Sequence, residues 1–265
     1  MDKRIELSQL VDSVSDDQLV SFGGGGMQRR PMTAARALAA ALAPSKIRIA
    51  AFLGGPEVDV LIGAGKVSSI SYAFVGMDFL GLSPNFRVAR EKAELTAFEL
   101  SEVIAIRGFE AAAKNIPFFP TRSGLGVDLL DTSTTTLRKF PCPITGETLV
   151  AVPATAPDVA IIHVNVADHA GNCMILGDAY IDPLIARASK KTLITAEKVV
   201  DRLPDDVGHA KATYISRLWV HGVCEVPGGA GFTSMYPDYP VNLEAAVAYQ
   251  KNATDSTWLN EFIAR

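Results

Sequence analysis

The residues best suited to chemistry are four consecutive glycines, Gly23, Gly24, Gly25 and Gly26, with Arg29 and Arg30 close behind, then a carboxylate, Glu102, and an isolated Arg122. Four glycines in a row admit positive φ angles and leave no Cβ in the path of a ligand approaching the backbone. A glycine turn that opens a helix also aims N–H groups and the positive helix end at an oxyanion, a carboxylate or a phosphate. A purely structural turn is the plain alternative. Glu102 follows Ser101, a residue type that caps helices, so the helix dipole favours its charge; a first-turn glutamate that only complements the dipole is its plain reading. Arg122 lies in an apolar stretch punctuated by Pro and Gly. A guanidinium there can clamp a carboxylate through two hydrogen bonds, or close an internal ion pair with Glu102 or Glu99.

Other chemistries fit less well. A dinucleotide fingerprint needs an acidic residue about twenty positions beyond its glycines, and Ala-rich sequence ending in Ala43-Pro44-Ser45 stands there. His163, inside an apolar run, reads as a core histidine. His169, beside Asp168, sits at a strand end, where ligands gather in open α/β sheets. Neither histidine has a serine or cysteine in a nucleophile turn, and Ser21 lacks the Gly-x-Ser-x-Gly context. Cys142, Cys173 and Cys224 are odd in number and far apart, without metal-ligand spacing, so they read as ordinary thiols and no metal site is expected. Lys66 and Arg87 read as surface charges.

These residues need elements to hold them. Leu19–Phe22 reads as a buried strand entering the glycine turn, and Pro31 suits the first turn of a helix running through Leu42. Ile47–Leu53 and Ser69–Val75 read as further strands, with a short apolar segment, Val58–Ile62, between them. The stretch from Gly81 to Arg90 reads as a loop, Glu94–Glu99 as a strand, and the residues after Ser101 as a helix to Ala113. Phe118–Gly126 reads as a loop and residues 131–148 as a polar surface excursion. Asp158–Asp168 is a buried strand with a polar end. Thr192–Ala196 and Leu218–Val226 follow, the latter ending in a second glycine turn at Pro227–Ser234. A short amphipathic helix opens the chain over residues 5–14, another lies near 179–189, and two close it from about Leu243. Apolar strand, glycine turn and helix in repetition predict an α/β fold: a single domain, residues 1–265, with an open, mostly parallel sheet and helices on both faces.

A chain of 265 residues, 48% hydrophobic and 20% charged, can bury a full core. A net charge of −4 without a long Lys/Arg run argues against nucleic acid as a partner. No apolar run reaches the 18–20 or so residues of a membrane span, and the first residues carry no signal-peptide apolar region, so a cytoplasmic protein away from the membrane is expected.

In order, these stations resemble the alpha subunit of the family I coenzyme A transferases, of the glutaconate and 3-oxoacid type, over essentially the whole chain. The likeness runs from the acidic turn, strand, glycines and proline of Asp16–Pro31 to Gly63-Ala64-Gly65-Lys66-Val67, then Phe86-Arg87 ahead of Glu99-Leu100-Ser101-Glu102. It continues through Ala111-Ala112-Ala113 and Ile116-Pro117-Phe118 to Gly229-Ala230, Thr233-Ser234 and Pro237-Asp238-Tyr239. Gly25 and Arg29 replace a Phe and a Gly of the usual turn, and Gly231-Phe232 replaces His-Pro. Arg29-Arg30-Pro31-Met32 looks more like the alpha subunit of the steroid-ring-cleaving CoA-ester hydrolases of the same superfamily.

The resemblance implies an enzyme half. Such transferases attack the thioester with a glutamate of the beta subunit in a Glu-Asn-Gly or Glu-x-Gly context, and Glu57, Glu147 and Glu225 lack those surroundings. The implied partner is therefore a beta subunit, in a heterodimer or heterotetramer. A coenzyme A thioester and a small carboxylic acid are the implied substrates, with no permanently bound cofactor. The glycine amides, Arg29 and Arg122 would bind substrate or CoA phosphates. In the hydrolase version Glu102 would be general base or nucleophile.

Overall fold

The computed structural model describes residues 2–131, 136–203 and 212–265. Its first half repeats one unit: a strand of continuous apolar residues, which must be covered on both faces, followed by a helix that covers one of them. Helix α1 (Leu7–Asp12) leads to β1 (Leu19–Phe22) and α2 (Met32–Ala40). Then come β2 (Ile47–Gly54), α3 (Pro56–Gly63), β3 (Val67–Val75), α4 (Pro84–Glu91), β4 (Thr96–Glu99) and α5 (Glu102–Ala113). The second half adds β5 (Phe118–Thr121), β6 (Arg138–Pro141), β7 (Thr148–Pro153), β8 (Val159–Asp168), β9 (Cys173–Leu176), α6 (Asp182–Ala188) and β10 (Lys191–Val200). The chain closes with β11 (Ala212–Ile215), β12 (Val220–Glu225), α7 (Leu243–Asn252) and α8 (Ser256–Ala264). Among the described residues no helix is long and apolar enough to cross a membrane.

Seven strands pair in parallel in the order β12-β10-β8-β1-β2-β3-β4, and β9 and β11 add an antiparallel flap to the far half of β8. The chain winds outward from β1 through β4, then returns to β8 on the other side of β1. The β1/β8 junction is thus the topological switch point, and ligands of open α/β sheets bind beyond the carboxyl ends of the strands there. Alternate residues separate the two faces. Val20, Ile49, Ile70 and Ile161 pack with α1, α2, α3, α4 and α8, whereas Ala50, Phe52, Ile162 and Ile194 pack with α5 and α6.

The α/β reading with a mostly parallel sheet holds, and the local differences have physical reasons. Gly81–Arg90 is not a loop throughout. Pro84 opens α4, whose one fully buried large apolar side chain, Phe86, leaves too faint a periodicity to read. Val58–Ile62 belongs to α3, which is buried on nearly every side, so a short apolar run does not distinguish it from a strand. Phe118–Thr121 and Arg138–Pro141 are the outer strands of a small antiparallel sheet, order β5-β7-β6, where edge positions tolerate Pro120 and Pro141. The expected surface excursion at 131–148 therefore contains β6; its residues 132–135 lie outside the described residues.

Candidate active site

At the end of β1 the missing Cβ atoms are replaced by this chain's own groups. A Cβ on Gly23 would lie 2.9 Å from Asp182 Oδ2, and one on Gly25 would lie 2.5 Å from Cε1 of the Tyr180 ring. On Gly26 it would collide with the Asp78 carboxylate, and on Gly24, at φ +82°, with the carbonyls of Gln28 and Arg29. The amides are engaged as well. Gly23 donates to Ile161 O at 2.9 Å, Gly24 to Asp182 Oδ1 at 2.9 Å, and Gly25 to Gln28 O at 3.2 Å. The N–H of Met27, next along, donates to Asp78 Oδ2 at 2.7 Å. The glycines thus let three side chains approach the turn, and the Gly23–Gly25 amides are turned inward instead of toward a ligand.

Arg29 and Arg30 diverge from the turn to opposite halves of the sheet. Arg29 Nη1 reaches Asp182 Oδ2 at 2.7 Å and His163 O on β8 at 3.3 Å, while its Nη2 donates to Asp178 O at 2.8 Å. Arg30 turns toward β2, donating to Leu53 O, to Gly26 O at 2.8 Å and to Glu57 Oε1 at 3.2 Å. Both ion pairs are buried. Burial pushes the Glu57 carboxyl up, against the pull of Arg30. Neither guanidinium reaches the surface, so both act first as clamps of the switch point.

Beside them on β8, His163 Nδ1 lies 2.9 Å from Thr195 Oγ1, and its Nε2 lies 2.8 Å from Glu197 Oε1. Glu197 also accepts from the Tyr239 hydroxyl and, at 2.7 Å, from the Gly228 amide of the late glycine turn. Burial lowers the pKa of His163 and keeps the ring neutral. Burial pushes Glu197 up, but the hydrogen bonds from His163, Tyr239 and Gly228 outweigh it and hold the carboxylate charged. His163 is a satisfied core histidine, as its apolar strand implies. His169 donates its amide to Val200 O in the turn after β8. Among the described residues no group of three or more His, Cys, Asp or Glu is arranged to hold a metal ion.

Glu102 begins α5 at the carboxyl end of β4, on the same sheet edge as the glycine turn. Ser101 Oγ caps this helix by accepting from Ile104 N at 3.3 Å. The Glu102 carboxylate is exposed and makes no hydrogen bond or ion pair among the described residues. Three strand spacings, about 14 Å, separate β4 from β1, so Glu102 and Gly23–Gly26 do not meet within this chain. Arg122 is not the partner of Glu102 or Glu99. It makes a two-point ion pair with Glu147 at 2.8 and 2.9 Å, and its side chain is 75% exposed. Glu99 accepts from the Tyr72 hydroxyl at 3.3 Å. Lys66 is tied to the carbonyls of Ala41 and Pro44. A cavity of about 550 Å³ opens on the α5 face of the sheet, walled by Leu100, Ile104, Leu137 and Val152 with Arg48 and Ser71 on its floor, away from the glycine turn.

Asp182, Tyr180, Asp78 and Glu197 escape sequence reasoning. Only the strand–turn register of β8 and α6 brings Asp182 to a glycine 158 positions earlier.

The family model described as "Coenzyme A transferase" matches residues 5–223. The "Cholesterol ring-cleaving hydrolase IpdA subunit" of Rhodococcus jostii is 34% identical over 99% of this chain and 91% of its own length. A 3-oxoadipate CoA-transferase subunit of Pseudomonas knackmussii is 30% identical over 77% of this chain and 74% of its own. Among solved structures, glutaconate coenzyme A-transferase from Acidaminococcus fermentans superposes with a TM-score of 0.90 at 25% identity, over 98% of this chain and 87% of that one.

Proposed function

We propose that this chain, which belongs to the coenzyme A transferase family, is the alpha subunit of a two-subunit enzyme that moves CoA between an acyl-CoA and a carboxylic acid, the nucleophilic glutamate being supplied by the beta subunit. One observation carries the assignment of the nucleophile. The buried carboxylates at the switch point are committed to internal partners: Asp182 to Arg29 and Gly24, Glu57 to Arg30, and Glu197 to His163 and Tyr239. A carboxylate nucleophile must be free to form and break an acyl bond and needs donors around the tetrahedral oxyanion. None of these three buried carboxylates is free for such a step, which supports a shared site that takes its nucleophile from the partner. Exposed Phe79, Val103 and Tyr236, all beyond carboxyl ends of sheet strands, support docking of the beta subunit over this edge.

A second reading rests on Glu102 and on full-length similarity to a ring-cleaving hydrolase subunit. There the exposed Glu102 carboxylate, without a partner among the described residues, acts as general base or nucleophile on a CoA ester. The two readings separate in one assay of the complex co-expressed with its beta subunit. CoA exchange that requires an added acid supports transfer. Thioester or C–C cleavage without an acceptor acid, lost in Glu102→Gln, supports hydrolysis. The isolated chain is expected to be inactive in either case.

A further inference from the structure

Strands of a parallel sheet are buried on both faces and read as apolar throughout, yet β3 is apolar on one face only. Ile70 and Tyr72 join the core on the side of α2 and α3, whereas Ser69 and Ser71 line the cavity on the α5 side. Arg48 of β2, in register with Ser69, joins them on that floor. Farther along the same face, Ala50 and Phe52 pack with Ala105 and Phe109 of α5 in an ordinary core. Over the amino-terminal half the roof is instead the small sheet β5-β7-β6, whose Val150 and Val152 join Leu137 and Ile104 in a separate apolar cluster. The two layers stand apart, and the space of about 550 Å³ between them falls within the roughly 300–1,000 Å³ of small-molecule sites. A packed core would put apolar side chains on such a floor. Serines and an arginine suit a ligand that brings a polar end.

The floor can hold a negative charge. Arg48 engages Asp17 through Nε alone, at 2.9 Å to its carbonyl and 3.1 Å to Oδ1, in an exposed pair that solvent screens. Its two Nη groups make no hydrogen bond among the described residues, and neither does Ser69 Oγ. A guanidinium edge with free N–H groups matches the planar fork of a carboxylate. Arg90 adds a second cation to the wall, and Glu99 beside it accepts from the Tyr72 hydroxyl at 3.3 Å. Asp17 and Glu99 disfavour a second negative charge, so a monocarboxylate fits better than a dicarboxylate. Opposite the floor, Ile104, Leu137 and Val152 offer apolar surface to the rest of the ligand. The position separates this cavity from the switch point. Leu19, which lines it, opens the four-residue strand β1, and the glycine turn follows that strand about 13 Å away.

We propose that this cavity is a second ligand site, separate from the reaction proposed above, which takes a free medium-chain aliphatic monocarboxylate. Its chain lies against Ile104, Leu137 and Val152, and its carboxylate accepts from Arg48 Nη and Ser69 Oγ. The test is calorimetric titration of the full chain with octanoate, and with octanol as the uncharged control. Arg48→Ala, at an exposed position that leaves the core intact, should weaken octanoate about tenfold or more, the worth of a charge-assisted hydrogen bond, and leave octanol unchanged. Val152→Trp fills the space and should abolish binding of both. No octanoate binding by wild type would overturn the inference, and so would equal affinity of wild type and Arg48→Ala, whatever the folding of Val152→Trp. A last arm repeats the octanoate titration on the two-subunit complex saturated with acetyl-CoA. Undiminished binding is expected. Displacement by acetyl-CoA would overturn the second site and make the cavity part of the reaction site.

Discussion

Arg29 and Asp182 form an ion pair of 2.7 Å with side chains 2% and 0% exposed, and the same carboxylate accepts the amide of Gly24. One buried carboxylate therefore ties β1's turn, the arginine after it and the start of α6 into a single unit. Removing one partner leaves an uncompensated buried charge, which costs about 3–5 kcal/mol. Asp182→Ala is expected to lose that much stability in urea denaturation.

Gly25 is set by the ring above it, not by its own backbone angle. Gly25→Ala places a methyl group inside the space of the Tyr180 ring, and overpacking of this kind costs about 1–3 kcal/mol. Gly65→Ala is a useful contrast, because its Cβ meets nothing and only the φ of +71° resists it. Thermal unfolding of both variants, with Tyr180→Ala added to Gly25→Ala, checks this: the double variant should recover stability relative to the effect of Tyr180→Ala alone.

Asp59 is buried, accepting from Phe86 N at 2.8 Å, Tyr249 OH at 2.8 Å and Asn85 Nδ2 at 3.0 Å. Burial outweighs these bonds and pushes its carboxyl up to about 6, from 3.8. Between those values the folded chain binds more protons than the unfolded one, so this group's contribution is greatest below the lower value and is lost as pH rises through the upper. Asp59→Asn removes the dependence. The stability of wild type relative to the variant should fall by on the order of 3 kcal/mol between about pH 3.5 and 7, measured by denaturant titration at each pH. A flat or rising difference would contradict the assignment.

Arg122 pairs with Glu147 at the surface, and exposed pairs contribute about 0–1 kcal/mol. Arg122→Ala should therefore fold and assemble as wild type. A rate loss of tenfold or more in the complex would mark Arg122 as a substrate ligand, and an unchanged rate would reduce it to a surface ion pair.

The frame of this fold is legible in the sequence because its strands are buried on both sides. Val159–Asp168 is buried along nearly its whole length, and a strand with seven apolar residues in ten has no other place to go. The Ser101 cap is equally local: one hydroxyl, one amide, three residues apart. What is not legible is long-range. The glycines suggest a bare backbone, yet Asp182, Tyr180 and Asp78 reach them from 158, 155 and 52 positions away in the chain, and no periodicity encodes that. Arg29 and Arg30 look interchangeable as neighbours. The left-handed backbone at Arg29 and the switch point send them to different strands, where each meets its own carboxylate. Arg122 looks isolated because its partner, Glu147, lies inside the excursion, in the turn between β6 and β7 that folds back onto β5.

The most direct test of the account is the location of the covalent intermediate. The co-expressed complex is incubated with an acyl-CoA, treated with hydroxylamine or borohydride, and digested for mass spectrometry of both chains. A shared site with its nucleophile on the partner yields a modified glutamate in the beta subunit and none in this chain, with turnover dependent on an acceptor acid. A modified Glu102, or full turnover by this chain alone, would contradict it and place the chemistry here.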